Sequence, residues 1–216
     1  MEGNTKTVGD DLKQFFSDGR QLVYGRDELI VRAYDPPAGV YLVVYGYVKA
    51  YSIAKDGREN IHKILGAGDI FPIPWAFTGN QKETFYQAID KVKVNRATRK
   101  ELLDYLTKNP RALGVFIFKL IGMYEMALER IETLEQQHAA ARVAAGLINL
   151  AARFGQGRPA CIAVPLSHSD IAGLTNVSRE TVSRVISRLE RQGAVKQNDG
   201  RITILDPRPL TALLDS

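Results

Sequence analysis

Four polar side chains near the C-terminal end of the chain have the types and the spacing needed to read DNA bases. Arg179, Glu180, Ser183 and Arg184 all belong to the run 178–184, Ser-Arg-Glu-Thr-Val-Ser-Arg. Arginine can donate two hydrogen bonds to guanine O6 and N7, and glutamate can accept one from cytosine N4. Residues three and four positions apart share one face of a helix. We predict that these side chains contact base edges in the major groove of double-stranded DNA.

A second set of residues around this run is suited to phosphate. Hydroxyl groups and the free N–H groups of a helix start bind phosphate oxygens, and arginine adds positive charge. A serine beside a histidine also occurs in hydrolases, but no acid or oxyanion motif accompanies this pair. The predicted phosphate contacts are Ser167, His168, Ser178, Thr181 and Arg188.

A helix-turn-helix would present both sets of residues to DNA. Ser167 and Asp170 form a capping pattern for a first short helix that reaches Leu174. Asn176 tolerates the left-handed backbone that a sharp turn between helices requires. A second helix is predicted from Arg179 to Gln192, with its apolar residues facing inward.

A hairpin completes this region. Strands at 194–195 and 202–204 are joined across Asn198-Asp199-Gly200, which is a turn sequence. A helix-turn-helix followed by such a wing is typical of DNA-binding domains. The alternative is an ordinary surface helix in which Glu180 and Arg184 form an ion pair worth a few tenths of a kcal/mol. We favour DNA binding because the turn, the caps, the wing and the local charge agree.

The surplus of positive charge lies in the same part of the chain. Of the net charge of +5, residues 1–138 contribute little, with 19 basic and 18 acidic side chains, whereas residues 139–216 carry 10 and 6. A basic surface suits a polyanionic partner. The single cysteine, Cys161, excludes an internal disulfide and a cysteine-ligated iron–sulfur cluster. We expect a cytoplasmic protein, because no apolar run approaches the roughly 18 residues that span a bilayer.

One long amphipathic helix precedes the DNA-binding region. Asn109-Pro110 reads as its N-cap and first residue, and a heptad pattern continues to His138, where we expect a hinge. A second apolar face contains Phe116, Met123 and Leu128. The alternative is a helix packed only on its own β domain, but two apolar faces favour an additional contact with a second subunit. The predicted dimer interface is Leu113, Ile117, Leu120, Tyr124, Ala127, Ile131 and Leu134.

The first half of the chain has the pattern of antiparallel strands. Val40–Tyr45 and Tyr47–Ile53 are rich in β-branched and aromatic residues, and Asp56-Gly57 is a hairpin signal. Several strands at this spacing predict a small sandwich or barrel. Thr98 and Glu101 then form a capping box for the first of the helices. No Walker loop, His-Glu-x-x-His helix or nucleophile–base pair occurs, so we predict that the chain is not an enzyme.

The sequence resembles the Crp/Fnr family of bacterial transcription regulators over nearly its whole length. Residues 178–184 resemble the recognition-helix motif, and Gly57-Arg58-Glu59 and Gly68-Asp69-Ile70-Phe71 resemble segments of the family's β-roll. The resemblance implies an α+β fold: a β-roll sensor at 1–109, a dimerisation helix at 110–137 and a winged helix-turn-helix at 138–216. It also implies a homodimer on a pseudo-palindrome, with half-sites roughly 34 Å apart, and RNA polymerase as a further partner.

The resemblance does not extend to the family's cyclic-AMP site. Relatives that bind this ligand have Gly-Glu-Leu and Arg-Ser where this chain has Pro72-Ile73-Pro74 and Glu83-Thr84, and a hydroxyl pair where it has Ala127-Leu128. Proline lacks the N–H that an anion needs, and Glu83 would repel the phosphate. We therefore do not expect cyclic AMP to be the effector. The base-reading residues satisfy two of the family's half-site codes, one closer to TGTGA and one closer to TTGAT.

An effector, if the protein has one, is not identified by the sequence. We do not expect haem, because a lone histidine such as His62 is more often a packing or surface residue than an axial ligand. The alternatives are a constitutive regulator with the β-roll as scaffold, and a ligand-binding signalling module with secondary DNA binding. Core packing is the competing explanation for the aromatic residues that could line an apolar effector pocket. The predicted pocket residues are Phe71, Trp75, Phe77, Thr84, Phe85, Tyr86, Met123 and Tyr124.

Overall fold

The structure is a computed structural model that describes residues 5–80, 83–157 and 159–215. It divides into two compact units. The first unit comprises the chain up to Ser52 together with Lys63–Glu125, and the second comprises Ile53–His62 and the chain from Met126 onward. The division therefore falls inside the long helix, and the domain boundaries drawn from the sequence stay predictions.

Two antiparallel sheets form the centre of the first unit. Their strand orders are β1-β8-β3-β6 and β2-β7-β4-β5, and the ends of β4 and β5 between Ile53 and His62 are counted with the second unit. Both sheets contribute to one buried cluster, in which Tyr41 and Val94 from one sheet meet Val48 and Tyr86 from the other. The strands are β1 Arg20–Tyr24, β2 Leu29–Val31, β3 Val40–Tyr45, β4 Val48–Ile53, β5 Glu59–Leu65, β6 Ile70–Phe71, β7 Phe85–Ala88 and β8 Val92–Ala97.

Helices cover the outer face of the first sheet. Phe16, Leu102 and Phe116 come from three of these helices and are fully buried in a second apolar cluster against Val40 and Leu42 of β3. The capping box predicted at Thr98 and Glu101 is present at the start of α3. Neither α1 nor α2 was predicted from the sequence. The helices of this unit are α1 Thr5–Ser17, α2 Ile73–Thr78, α3 Arg99–Lys108 and the first half of α4 Pro110–Glu135.

The long helix α4 begins at Pro110 as predicted but ends at Glu135, three residues before the expected hinge at His138. Of the second apolar face predicted for this helix, Phe116 is buried in the apolar cluster and Met123 packs against that cluster. Leu128, predicted on the same face, is exposed. A row of large apolar side chains on α4 is open to solvent, and we call it the α4 stripe. It consists of Leu113, Ile117, Leu120, Ile121, Tyr124, Leu128 and Ile131.

The second unit contains four more helices and a small sheet with strand order β11-β12-β10-β9. Val143 and Leu147 of α5, Ile171 of α6, and Val182 and Ile186 of α7 are buried and form its apolar centre. The fold confirms an α+β chain with an antiparallel β-roll, a long helix and a C-terminal winged helix-turn-helix. The remaining elements are α5 Ala139–Phe154, β9 Gly155–Gln156, β10 Ala160–Ile162, α6 His168–Thr175, α7 Arg179–Arg191, β11 Val195–Asn198, β12 Arg201–Ile204 and α8 Arg208–Ala212.

Candidate DNA interface

The first helix of the helix-turn-helix is held at both ends by local hydrogen bonds. At its start, the Ser167 backbone N–H and hydroxyl both donate to Asp170 Oδ2, at 2.9 Å and 2.6 Å, and the Asp170 N–H donates to Ser167 Oγ at 3.1 Å. At its end, Asn176 adopts the predicted left-handed conformation with φ of 50°. These two features set the direction of the chain into α7.

The second helix, α7, separates its apolar and polar residues onto two faces. Val182, Val185, Ile186 and Leu189 are buried. The Thr181 N–H donates to the N-cap hydroxyl of Ser178 at 3.1 Å, so the start of α7 is capped by a side chain. An amphipathic helix anchored in this way presents its other face at a defined orientation.

The outward face of α7 contains the residues predicted to read bases. Arg179, Glu180 and Arg184 are exposed, and Ser183 is half-buried. Within the part of the chain that the structure describes, Glu180 and Arg184 do not form an ion pair, and Arg184 contacts the Thr181 hydroxyl at 3.5 Å. The arginine and glutamate are therefore not neutralised by each other and remain open to hydrogen-bonding partners outside the chain.

The residues predicted to contact phosphate differ in how many donors they have left. Both Ser167 donors are used by Asp170, so this residue has no hydrogen to give to a phosphate. The next residue, His168, is half-buried, and its Nε2 lies 3.0 Å from Gln197 Oε1 in the wing. This pairing makes Nε2 the protonated nitrogen, since an amide oxygen can only accept. Arg188 is exposed on α7.

The wing is tied to both helices. Gln197 of β11 accepts from His168 of α6, and its backbone N–H donates to Glu190 Oε1 of α7 at 3.1 Å. The turn between β11 and β12 uses Asp199 and Gly200, whose φ angles of 48° and 73° match the predicted hairpin. Gln197 and Glu190 were not identified from the sequence, because nothing local to either residue shows that α6, α7 and β11 meet there.

The residues predicted for an effector pocket are distributed differently. Phe71 is fully buried and stacks between Tyr41 and Tyr86, with ring centroids 5.2 Å and 4.8 Å apart. Burial strongly raises the pKa of the Tyr86 hydroxyl. Trp75 and Met123 pack against the other apolar cluster. Four of the eight predicted residues therefore take part in core packing.

Other members of the predicted pocket are more open to solvent. Tyr124 and Phe77 are exposed, with relative exposures of 65% and 41%, and Thr84 and Phe85 are half-buried. Trp75, Thr84 and Tyr86 do line one cavity, together with Arg32 and Asp35, but its volume is only about 60 Å³. That space holds a few water molecules, whereas sites for drug-sized ligands measure hundreds of Å³.

Two positions of the family's cyclic-nucleotide site serve other purposes in this structure. Ile73 is the first residue of α2 and stands where the resemblance places an acidic residue. Its side chain is buried in the apolar cluster that the helices form on the first sheet. Glu83, where it places an arginine, accepts a hydrogen bond from Tyr34, and this bond raises the pKa of the Tyr34 hydroxyl. A carboxylate at this point cannot pair with the phosphate of a cyclic nucleotide.

Two further kinds of site, a metal centre and a membrane span, do not occur among the described residues. Over residues 5–80, 83–157 and 159–215, no three histidine, cysteine or carboxylate side chains are grouped as metal ligands would be. No helix among the described residues has the length and hydropathy to span a membrane.

The sequence matches two family models that together cover most of the chain. One is described as a cyclic nucleotide-binding domain and matches residues 21–109, and the other is described as a Crp-like helix-turn-helix domain and matches residues 141–213. The first match concerns the β-roll and the second the winged helix-turn-helix.

Individual regulators are similar to the chain over nearly its full length. The nitrogen fixation regulation protein FixK of Bradyrhizobium diazoefficiens is 27% identical, covering 94% of this chain and 85% of that protein. The fumarate and nitrate reduction regulatory protein of Vibrio cholerae is also 27% identical, covering 94% and 81%. Among solved structures, FixK2 from Bradyrhizobium japonicum superposes with a TM-score of 0.78 at 25% identity, covering 90% of this chain and 96% of that one.

Proposed function

The chain belongs to the Crp/Fnr family of DNA-binding transcription regulators, and we propose that it acts as a homodimer on a pseudo-palindromic DNA site. The outward face of α7 carries this proposal. Arg179, Glu180 and Arg184 are exposed on this face, and Glu180 forms no ion pair with Arg184 in the described part of the chain. The opposite face of α7 is apolar and buried, and the start of the helix is capped by a side chain. Helices of this design enter the major groove with their first turns against base edges.

We assign base contacts to Arg179, Glu180, Ser183 and Arg184. Each arginine suits a guanine, and Glu180 suits the cytosine N4 group of a neighbouring pair. Ser178, Thr181 and Arg188 are assigned to phosphates, and His168 is kept with them by its position, since its Nε2 hydrogen binds Gln197. We also keep Ser167 among the predicted phosphate contacts, but only through its position, since its own donors bind Asp170.

The α4 stripe supports the dimer. Seven large apolar side chains exposed along one helix are costly in water, and a second copy of the same helix covers such a row symmetrically. The stripe includes five residues of the interface predicted from the heptad pattern and adds Ile121 and Leu128. Parallel pairing of two α4 helices would place two recognition helices roughly one turn of DNA, about 34 Å, apart.

Family membership also supports RNA polymerase as a second macromolecular partner, and a regulatory rather than a catalytic role. The activation or repression of particular genes follows from where the dimer sits relative to the polymerase, so it depends on target sites rather than on this chain alone.

A constitutive regulator is a second candidate, favoured by the stacked rings of Tyr41, Phe71 and Tyr86. These residues fill the space between the two sheets, and the cavity beside them is of water size. In this version the β-roll is a scaffold, and affinity for DNA does not depend on a small molecule. An effector-gated regulator would instead shift between arrangements of the hinge near His138.

Selection from a random DNA pool tests both versions. The purified protein is incubated with the pool in the presence and absence of small-molecule extract from bacterial cells, and the bound sequences are read. We expect two inverted half-sites at one-turn spacing. Enrichment of a single unpaired motif would contradict the dimer, and a sequence enriched only with the extract would contradict the constitutive version.

A further inference from the structure

Three elements of the second unit meet at one side chain, Arg130 of α4. Its Nη1 donates to the backbone oxygen of Leu174 near the end of α6, and its Nη2 donates to Asn60 Oδ1 on β5, both at 2.6 Å. Asn60 belongs to the hairpin tip, which we define as residues 53–62 between β4 and β5 and which lies in the second unit. One guanidinium therefore connects the long helix, the hairpin tip and the helix-turn-helix.

The contact with Leu174 is at a position where a helix needs an external donor. The last carbonyls of a helix have no partner within it, and they form the negative end of its dipole. Arg130 is half-buried, and burial lowers the pKa of its guanidinium, although arginine stays charged at any physiological pH. Short hydrogen bonds from a charged donor are stronger than those from a neutral one.

The hairpin tip also packs closely on α6 through Gly173. A Cβ atom at this position would lie 2.9 Å from the Glu59 backbone oxygen and 3.0 Å from Ile61 Cγ1. Ile61 is fully buried. Only glycine allows α6 and β5 to approach this closely, so the arrangement fixed by Arg130 is also supported by shape.

The start of the recognition helix lies beside the same contact. Arg179 and Glu180 line an open cleft that is also lined by Arg58, Glu59 and Asn60 of the hairpin tip. Only four residues separate Leu174 from Arg179, and the left-handed turn at Asn176 links them. Fixing the end of α6 therefore fixes where α7 begins.

We propose that Arg130 is a positioning residue for DNA recognition, which sets the pose of the helix-turn-helix against α4 and the hairpin tip without touching DNA. This inference rests on the proposed dimer. Two recognition helices can occupy two half-sites at once only if each is held at a definite pose relative to the dimerisation helix. Loss of that pose costs affinity for a full site, whereas binding to a single half-site requires only one intact helix-turn-helix.

The test compares Arg130→Gln with the unaltered protein on two duplexes, the full selected site and the same site with one half scrambled. We expect the variant to lose about tenfold in affinity for the full site, the order of effect of one charged hydrogen bond. Affinity for the single half-site should change by less than about twofold. The salt dependence on the full site should keep its slope, because a residue that contacts no phosphate releases no counterion.

Arg153→Gln is the matched control, since it removes one cation from the same unit. Arg153 is exposed on α5, where it contacts the Met126 sulfur and the Phe154 ring. It should leave the ratio of the two affinities unchanged. Asn60→Ala, at an exposed contact, removes only the hairpin acceptor and should lower the ratio by about threefold, a fraction of the Arg130 effect.

A third variant, Gly173→Ala, pushes the hairpin tip away while favouring the helix in which it lies. It should lower affinity for the full site although α6 itself is not weakened. Equal losses on both duplexes in Arg130→Gln, or an unchanged ratio in both Arg130→Gln and Asn60→Ala, would overturn the positioning role. If the unaltered protein shows no preference for the full site, the proposed dimer on a pseudo-palindrome fails instead.

Discussion

The recognition helix exposes its candidate functional residues to solvent, whereas the β-roll buries several of its own. Arg179, Glu180 and Arg184 are exposed on α7, whereas Phe71 and Tyr86 are buried and stacked between two sheets. Charged side chains lose solvation when buried, so they face outward on an amphipathic helix whatever they bind. Aromatic side chains gain free energy by burial, so their presence alone does not distinguish a pocket from a core.

This difference predicts that the two regions respond to substitution in different properties. Changes in the β-roll interior should act on the free energy of unfolding, and changes on the α7 face should act on DNA binding. A capping box occurs in each unit, at Ser167 and Asp170 and at Thr98 and Glu101, so substitutions in the two boxes compare the units at the same kind of site.

The largest effect is expected for Phe71→Ala. The substitution leaves a cavity between Tyr41 and Tyr86, and truncating a buried phenylalanine costs about 3–5 kcal/mol. Urea unfolding followed by circular dichroism measures the change. The control is Phe118→Ala, because Phe118 is 70% exposed and its loss should cost less than about 0.5 kcal/mol. Equal stability of the two variants would show that the stacked rings are not core.

The next effect is expected for Arg184→Ala in DNA binding. Loss of a base-reading arginine should cost about 1–3 kcal/mol and relax the preference at one base position. Titration of the selected duplex and of its single-base variants measures both quantities. Arg188→Ala, assigned to a phosphate, should weaken binding about equally on all sequences and reduce the salt slope by about one. Identical behaviour of the two variants would mean that the base-reading face is wrongly assigned.

A smaller effect is expected for Asp170→Ala at the start of α6. The carboxylate accepts two hydrogen bonds from Ser167 and is nearly buried, with 9% relative exposure. Its removal leaves both donors without that partner and should lower the free energy of unfolding by about 1–2 kcal/mol. Thermal unfolding measures the change. Because the cap is part of the helix-turn-helix, DNA binding should weaken as well, and full affinity in a destabilised variant would separate the cap from recognition.

The smallest effect is expected for Glu101→Gln in the matching box of the first unit. The Thr98 backbone N–H and hydroxyl, each 2.7 Å from Glu101 Oε2, hold the pKa of this exposed carboxyl below its usual value. A lowered pKa contributes stability above the unfolded value and loses it as pH falls through the folded value. The variant should therefore be slightly less stable at pH 7 and converge with the unaltered protein in acid. A constant difference at all pH values would contradict this cause.

Local signals in the sequence predicted the ends of several helices in both units. The capping pairs at Thr98 and Ser167, the start of α4 at Pro110 and the left-handed turn at Asn176 all appear in the structure. Each depends on residues within about four positions of one another, so the sequence alone contains the information. The helices α1 and α2 were missed; α2 contains Pro74 and is bordered by Pro72 and Gly79, a combination typical of a loop.

The sequence by itself indicated the family through the motifs that resemble it, and it determined the order of the main elements and which residues face outward on α7 through local caps and helical periodicity. Only the tertiary structure decided that Phe71 and Tyr86 stack in the core, that Gln197 joins the wing to both helices, and that Arg130 connects α6 to the hairpin tip. These contacts join residues from 7 to 70 positions apart in the chain. The local preferences of an arginine or a phenylalanine do not specify such a partner. The partner is decided by how elements distant in the chain pack together.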